Sequence, residues 1–316
     1  MRKRPFFIGL LVLLAVSLSA ALGAQPGAKG PRREKPAKPP AERRPTLPEG
    51  TRVERDLEYV PGGHQRNKLD LYLPAKAERP LPVIVWIHGG AWWAGSKEGC
   101  PAVPLVAKGY AVASINYRLS QHAQFPAQIE DCKAAIRFLR LVAKKYGLDA
   151  DHIGVWGASA GGHLVALLGT SGGVKDLEGK EGGHLDQSSR VQCVVDFFGP
   201  TDFTTMRGSH DNPNSPEAQL LGGPVQANQA KAARANPITY VSKDDPAFLI
   251  VHGEEDRTVP IGQSELLHAA LERAGVPSEF VRIPAAGHGG PGFQTPENRK
   301  RIEAFFNRHL KPAQGK

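Results

Sequence analysis

One serine set among four small residues, Gly157-Ala158-Ser159-Ala160-Gly161, is the first feature of this chain with chemical meaning. Glycine inside a strand or helix costs about 0.5–1 kcal/mol relative to alanine, so the segment gives up stability for backbone freedom. The pattern G-x-S-x-G has a use for that freedom when a strand precedes it and a helix follows. The turn then strains the serine backbone, and its neighbours must be tiny for strand and helix to approach each other. Here the apolar run "HIGVWG" precedes it and a helical stretch from Ala160 to Leu168 follows. The N-terminus of that helix also favours negative charge developing at Ser159. In a chain with 35 glycines the pentapeptide alone would be an ordinary Gly-rich turn, and its flanks are what single it out.

A serine hydroxyl is a weak nucleophile without a base beside it. Of eleven histidines, His288 is the best placed, in the small-residue loop "IPAAGHGGPG" between the last expected strand and the last helix. His163 sits on the helix four residues past the serine and reads as structural, while His88 and His252 end apolar strands and read as packed near the site. The third member should fix the imidazole tautomer and stabilise its charged form. Asp256 in "LIVHGEEDRTVP" lies just past a buried strand and thirty-two residues before His288. Glu254, Glu255 and Asp202 are its competitors, and the order serine, acid, histidine favours Asp256.

A tetrahedral intermediate needs amides aimed at its oxyanion, worth roughly 2.7–4 kcal/mol per donor. "HGGAWWAGSK", residues 88 to 97, supplies a loop whose glycines let the backbone come close. The amides of Gly90 and Ala91, with that of Ala160, are the expected donors, and Gly89 shapes the loop. Ala91 stands where an HGGG loop has its third glycine, which keeps the N–H and adds a methyl. Trp92 and Trp93 cannot easily both face one core, so at least one is expected to line a substrate cleft.

These residues need a scaffold. "RVERDLEYV" and "KLDLYL" alternate polar and apolar residues around "PGGHQRN", which reads as an antiparallel hairpin at a sheet edge. "PVIVWIHGG", "YAVASINY", "HIGVWG", "VQCVVDFFG" and "AFLIVHG" are continuous apolar runs of the kind buried on both faces of a sheet, with "SEFVRIP" a weaker strand. Helical segments fall inside 97–108, at about 128–146, at 160–168 and at 262–274. A last helix opens on Thr-Pro with a capping-box glutamate. Strands alternating with helices predict a mostly parallel central sheet covered on both faces. The interval 199–245 is loop-rich and interrupts that rhythm, so a short lid insertion is expected at about 203–235, above the carboxyl ends of the strands.

The chain has 316 residues, 41% of them hydrophobic, enough for one large domain. Residues 1–24 read as a secretory signal peptide, with a charged start, an apolar core and small residues at a cleavage site. An uncleaved anchor is the alternative, since the apolar stretch nearly spans a bilayer of about 30 Å. Residues 25–50 read as a disordered, basic, Pro-rich linker, and residues 51–316 as the folded domain. Residues 1–50 hold ten Lys and Arg against three Glu, a net of +7, so the overall +9 leaves +2 for the rest. The basic charge is therefore a tail rather than a folded patch, which speaks against a nucleic-acid partner. Cys100, Cys132 and Cys193 allow one disulfide plus a free thiol in an exported protein, suggest no metal site, and are expected to take no part in catalysis.

With these residues in view, the chain resembles the secreted bacterial carboxylesterases of the α/β-hydrolase fold, of the acetyl-esterase/lipase and feruloyl-esterase-like group. The likeness runs through "KLDLYLP", "HGGAWWAGSK", "NYRLS", "YGLDADHIGVWGASAGGHL", "SPEAQLLGG", "NPITYVSKDDPAFLIVHGEEDRTVP" and "GHGG" and covers essentially residues 51–310. It implies a serine ester hydrolase that works through an acyl-enzyme without metal or cofactor. The expected partners are small-molecule or polysaccharide-linked esters, with short-acyl, acetylated-sugar or phenolic groups favoured by the modest lid. The expected location is exported, periplasmic or extracellular, with no stable membrane insertion after cleavage. A serine peptidase of the same fold would use the same triad but usually needs a larger partner domain. A non-catalytic binding protein on a hydrolase scaffold would be expected to lack a triad member.

Overall fold

The computed structural model describes residues 44–311, so the expected signal peptide at 1–24 and the linker as far as residue 43 lie outside the described residues. Residues 44–48 have no regular structure, and Arg44 pairs with Glu98 at 2.7 Å.

The hairpin comes first, with β1 (Arg52–Glu58) antiparallel to β2 (Lys68–Leu73) and a bulge between Glu54 and Leu57. Then follow β3 (Leu81–Ile87), β4 (Ala111–Ile115), α1 (Ala127–Leu141), α2 (Ala143–Tyr146), β5 (Leu148–Ala158) and α3 (Ala160–Thr170). After β6 (Cys193–Phe197) come three short helices, α4 (Phe203–Met206), α5 (Pro216–Leu221) and α6 (Gln229–Ala235). The chain closes with β7 (Ala247–Gly253), α7 (Gly262–Arg273), β8 (Ser278–Ile283) and α8 (Pro296–Leu310).

Eight strands form one sheet in the order β1-β2-β4-β3-β5-β6-β7-β8, antiparallel at β1-β2-β4 and parallel from there on. Every residue of β3, β4, β6 and β7 is buried, as their mainly apolar sequences require of strands covered on both faces, with Ser114, Asp196 and His252 the polar residues among them. One face packs on α1, α3 and α7 through Ile129, Ile136, Leu164, Leu167, Leu267 and Leu271. The other packs Ile84, Trp86, Trp156 and Leu249 against Phe305, Phe306 and Leu310 of α8. Edge strand β8 is half-buried, which accounts for its weaker signal in the sequence.

One expectation needs correction and one open alternative is settled. The helix placed inside 97–108 is a single 3-10 segment, Val103–Lys108, because Pro104 at its start and Gly109 in left-handed geometry at its end leave room for little more. The three cysteines are all free and buried, so no disulfide forms among the described residues.

Candidate active site

Ser159 stands in the turn between β5 and α3 at φ 57°, a conformation that costs a non-glycine residue on the order of 1–3 kcal/mol. Small neighbours are a steric necessity there. A Cβ on Gly157 would collide with the Gly161 carbonyl, and one on Gly161 would collide with the Ile87 carbonyl of β3. The Ser159 amide donates to the Phe197 carbonyl at 2.8 Å, tying the turn to the end of β6.

His288 comes back from the loop after β8 and places Nε2 2.9 Å from Ser159 Oγ. Its Nδ1 lies 2.7 Å from Asp256 Oδ2, so the ring joins the serine to an acid in the turn after β7. The Phe198 ring, 4.6 Å away between centroids, backs the imidazole. The other oxygen of Asp256 accepts the amides of Thr258 and Val259 at 2.8 and 2.9 Å. Burial alone would raise the Asp256 pKa, but hydrogen bonds from His252, His288 and Val259 outweigh it and hold the carboxyl well below the usual range. The competing acids do other work: Asp202 caps α4 by accepting the Thr204 amide, and Glu254 and Glu255 are exposed.

The loop carrying Gly90 and Ala91 runs beside Ser159, and a Cβ on Gly89 would sit 3.3 Å from Ser159 Cβ. Ala91 and Trp92 both take left-handed φ, 56° and 57°, so this stretch is held against its own preference. The Trp93 and Ala94 amides donate to the Gly90 carbonyl, and Gln121 donates to the Trp93 carbonyl at 2.9 Å. Ala160 opens α3 directly after Ser159 and is buried.

Sequence reasoning missed several of the residues that hold this loop. Arg66, from the hairpin turn, donates to His88 Nε2 at 3.0 Å and to the Gly95 carbonyl at 2.9 Å. His88 then donates from Nδ1 to the Gly89 carbonyl at 2.7 Å, and burial pushes its pKa down to about 3. The Tyr117 hydroxyl donates to the His88 carbonyl at 3.0 Å, and "NYRLS" was its only signal in the sequence.

The two tryptophans divide. Trp93 is 54% exposed, as a cleft residue would be. Trp92 does not line an open cleft: it is 2% exposed, packs edge-on against Phe203, and donates from Nε1 to His163 Nδ1 at 3.2 Å. Its indole N–H needed a buried acceptor, and His163 supplies one. His163 donates in turn to the Ala235 carbonyl at 2.8 Å, and burial lowers its pKa to about 4, so it is a neutral structural link from the loop to α6.

A cavity of about 730 Å³ flanks these residues on the α8 side of the sheet. Trp86, Trp156, Phe197, Phe198 and Phe293 form apolar walls, and Ala158 and Gly289, the chain neighbours of Ser159 and His288, border it.

The BD-FAE family matches residues 69–271, nearly two thirds of the sequence. The chain belongs to the BD-FAE family. Within the matched span lie Ser159 and Asp256, while His288 falls beyond it. This BD-FAE chain is similar to esterase LipQ of Mycobacterium tuberculosis, 34% identical over 79% of this chain and 60% of LipQ. It spans less than two thirds of the length of the curated relatives it matches. Among solved structures, a truncated carbohydrate esterase from gut microbiota superposes with a TM-score of 0.80 at 36% identity, covering 84% of this chain and 99% of that one. The bifunctional GH43-CE protein of Bacteroides eggerthii gives 0.78 at 44% identity, over 81% of this chain and 35% of its own. The fold is therefore that of the α/β-hydrolase esterases.

Proposed function

We propose that this protein is a serine carboxylic ester hydrolase that works through an acyl-enzyme. The observation that carries the reading is the single imidazole of His288, within hydrogen-bond distance of Ser159 Oγ on one side and Asp256 Oδ2 on the other. His288 takes the hydroxyl proton as Ser159 Oγ bonds to the ester carbonyl carbon, and Asp256 stabilises the imidazolium without taking its proton. The negative charge on the carbonyl oxygen falls to the amides of Gly90, Ala91 and Ala160. His288 then gives its proton to the departing alcohol, leaving an acyl group on Ser159. Water repeats the sequence: His288 removes its proton, the hydroxide adds to the acyl carbon, and Ser159 leaves with the proton restored.

For substrate we favour short-acyl, acetylated-sugar or phenolic esters. The descriptions of similar structures support the acetylated-sugar part of this range, since one is a carbohydrate esterase and another an acetyl ester-xyloside bifunctional hydrolase. The interval holding α4, α5 and α6 is the proposed lid, and Trp93 the proposed exposed wall of the cleft. Export through the leader at residues 1–24 belongs to the same reading, because polymeric esters lie outside the cytoplasm. Hydrolysis rates on acetylated xylan, methyl ferulate and p-nitrophenyl esters of rising acyl length test it. The highest kcat/KM is expected on acetyl or phenolic esters and none in Ser159→Ala; a peak on long acyl chains, or faster cleavage of peptidyl amides, contradicts it.

A further inference from the structure

His252 ends β7 fully buried, a ring that the reaction above does not use. Its Nδ1 lies 2.7 Å from Ser264 Oγ on α7, and its Nε2 lies 2.9 Å from the Val259 carbonyl. The same Nε2 is 3.2 Å from Asp256 Oδ2, the oxygen that also meets His288 Nδ1. A carbonyl and a carboxylate only accept, so Nε2 carries a proton, while the Ser264 hydroxyl beside Nδ1 can either donate or accept. Val259 donates its own amide to Asp256 Oδ1 at 2.9 Å, so the ring touches both the carboxylate and the turn that holds it.

We propose that His252 is a positioning residue: its Nε2–H, shared between the Val259 carbonyl and Asp256 Oδ2, clamps the turn 256–259 and fixes the oxygen that orients His288. The proposal rests on the hydrolase reading of Ser159. Without the clamp, Oδ2 keeps one donor in place of two, and the carboxylate is free to rotate away from the line to His288 Nδ1. Packed around His252 are the ionisable Asp256 and His288, the buried carboxyl of Asp196 on β6, the uncharged Ser264 of α7 and the Phe198 ring 6.2 Å away.

The test compares His252→Phe, a ring without a donor, with His252→Gln, whose side-chain amide places an N–H close to where Nε2 stood. On p-nitrophenyl acetate, His252→Phe is expected to lose about tenfold or more in kcat with little change in KM, the effect of one hydrogen bond to a charged group. The low-pH limb of its kcat/KM profile moves to lower pH, because a carboxylate turned away from Nδ1 stabilises the His288 cation less. His252→Gln restores most of both. A folded His252→Phe with wild-type kcat and limb overturns the proposal, and so does a Gln variant no better than Phe. Should His252→Phe fail to fold, nitrogen-15 NMR of the wild-type imidazoles decides: a protonated Nε2 on His252 is required, and a bare Nε2 overturns it. Fluorophosphonate labelling separates the two readings. No labelling of wild-type Ser159 sinks the hydrolase reading, whereas equal labelling rates in wild type and His252→Phe sink only the clamp.

Discussion

Asp256 is held by two amides on one oxygen and faces two imidazoles with the other, and this crowding of donors decides how it behaves. Asp256→Asn replaces an acceptor with a donor and drives the imidazole of His288 toward the wrong tautomer. A fall in kcat on the order of 10⁴ is expected, as in triads of this type. The folded-state pKa is depressed, so the carboxylate's stabilisation is full above its unfolded value of 3.8 and lost as pH falls below that. The Tm gap between wild type and Asp256→Asn should therefore be constant near neutrality and shrink on acidification below about pH 4, which a thermal melt series checks. A Tm gap that widens in acid would contradict the assignment. Asp256 itself was readable from the sequence because acid, strand end and chain order agree. The partners of Trp92 were not, since His163 and Phe203 lie 71 and 111 residues further along the chain and no local spacing joins them.

The turn between β5 and α3 is where local sequence and tertiary contact agree most closely. Gly157→Ala is expected to destabilise by about 3 kcal/mol or more, because the new methyl meets backbone that has nowhere to go. Gly147, after α2, is the opposite case, with a positive φ of 68° and open space around it, so Gly147→Ala should cost only about 1 kcal/mol. Urea denaturation of both variants tests the contrast, and equal losses would contradict close approach as the requirement at Gly157. One strand away, Asp196 of β6 is wholly buried, with Oδ1 accepting the Gly199 amide and Oδ2 unpartnered. Burial pushes its pKa up to about 6, so its cost to stability is absent below 3.8 and complete once pH has risen through 6. Asp196→Asn should melt several degrees above wild type at about pH 8 and level with it near pH 4. The strand β3 and the apolar stretches within β5 and β7 were legible because a strand covered on both faces is apolar on both. The 3-10 segment at Val103–Lys108 was not, because the local apolar pattern of a short buried turn matches that of a helix.

Across the whole molecule the sheet divides the labour. On one face α3 sets the turn that carries Ser159; on the other, α8 and the aromatic walls of the cavity leave room beside it. Ser159, Asp256 and His288 draw on the segments after three separate strands, β5, β7 and β8, so they meet only when the parallel half of the sheet is complete. They were visible in the sequence because each follows an apolar run at a strand's carboxyl end. The ties that stiffen the loop after β3 run instead through Arg66 and Tyr117, whose roles depend on the hairpin and β4 lying beside it. The most direct measurement is mass spectrometry of enzyme quenched during the first turnover of p-nitrophenyl acetate. One acetyl group on the peptide containing Ser159, absent in Ser159→Ala, is the predicted result; sustained ester hydrolysis by Ser159→Ala, or acetyl on another residue with Ser159 unmodified, would contradict it.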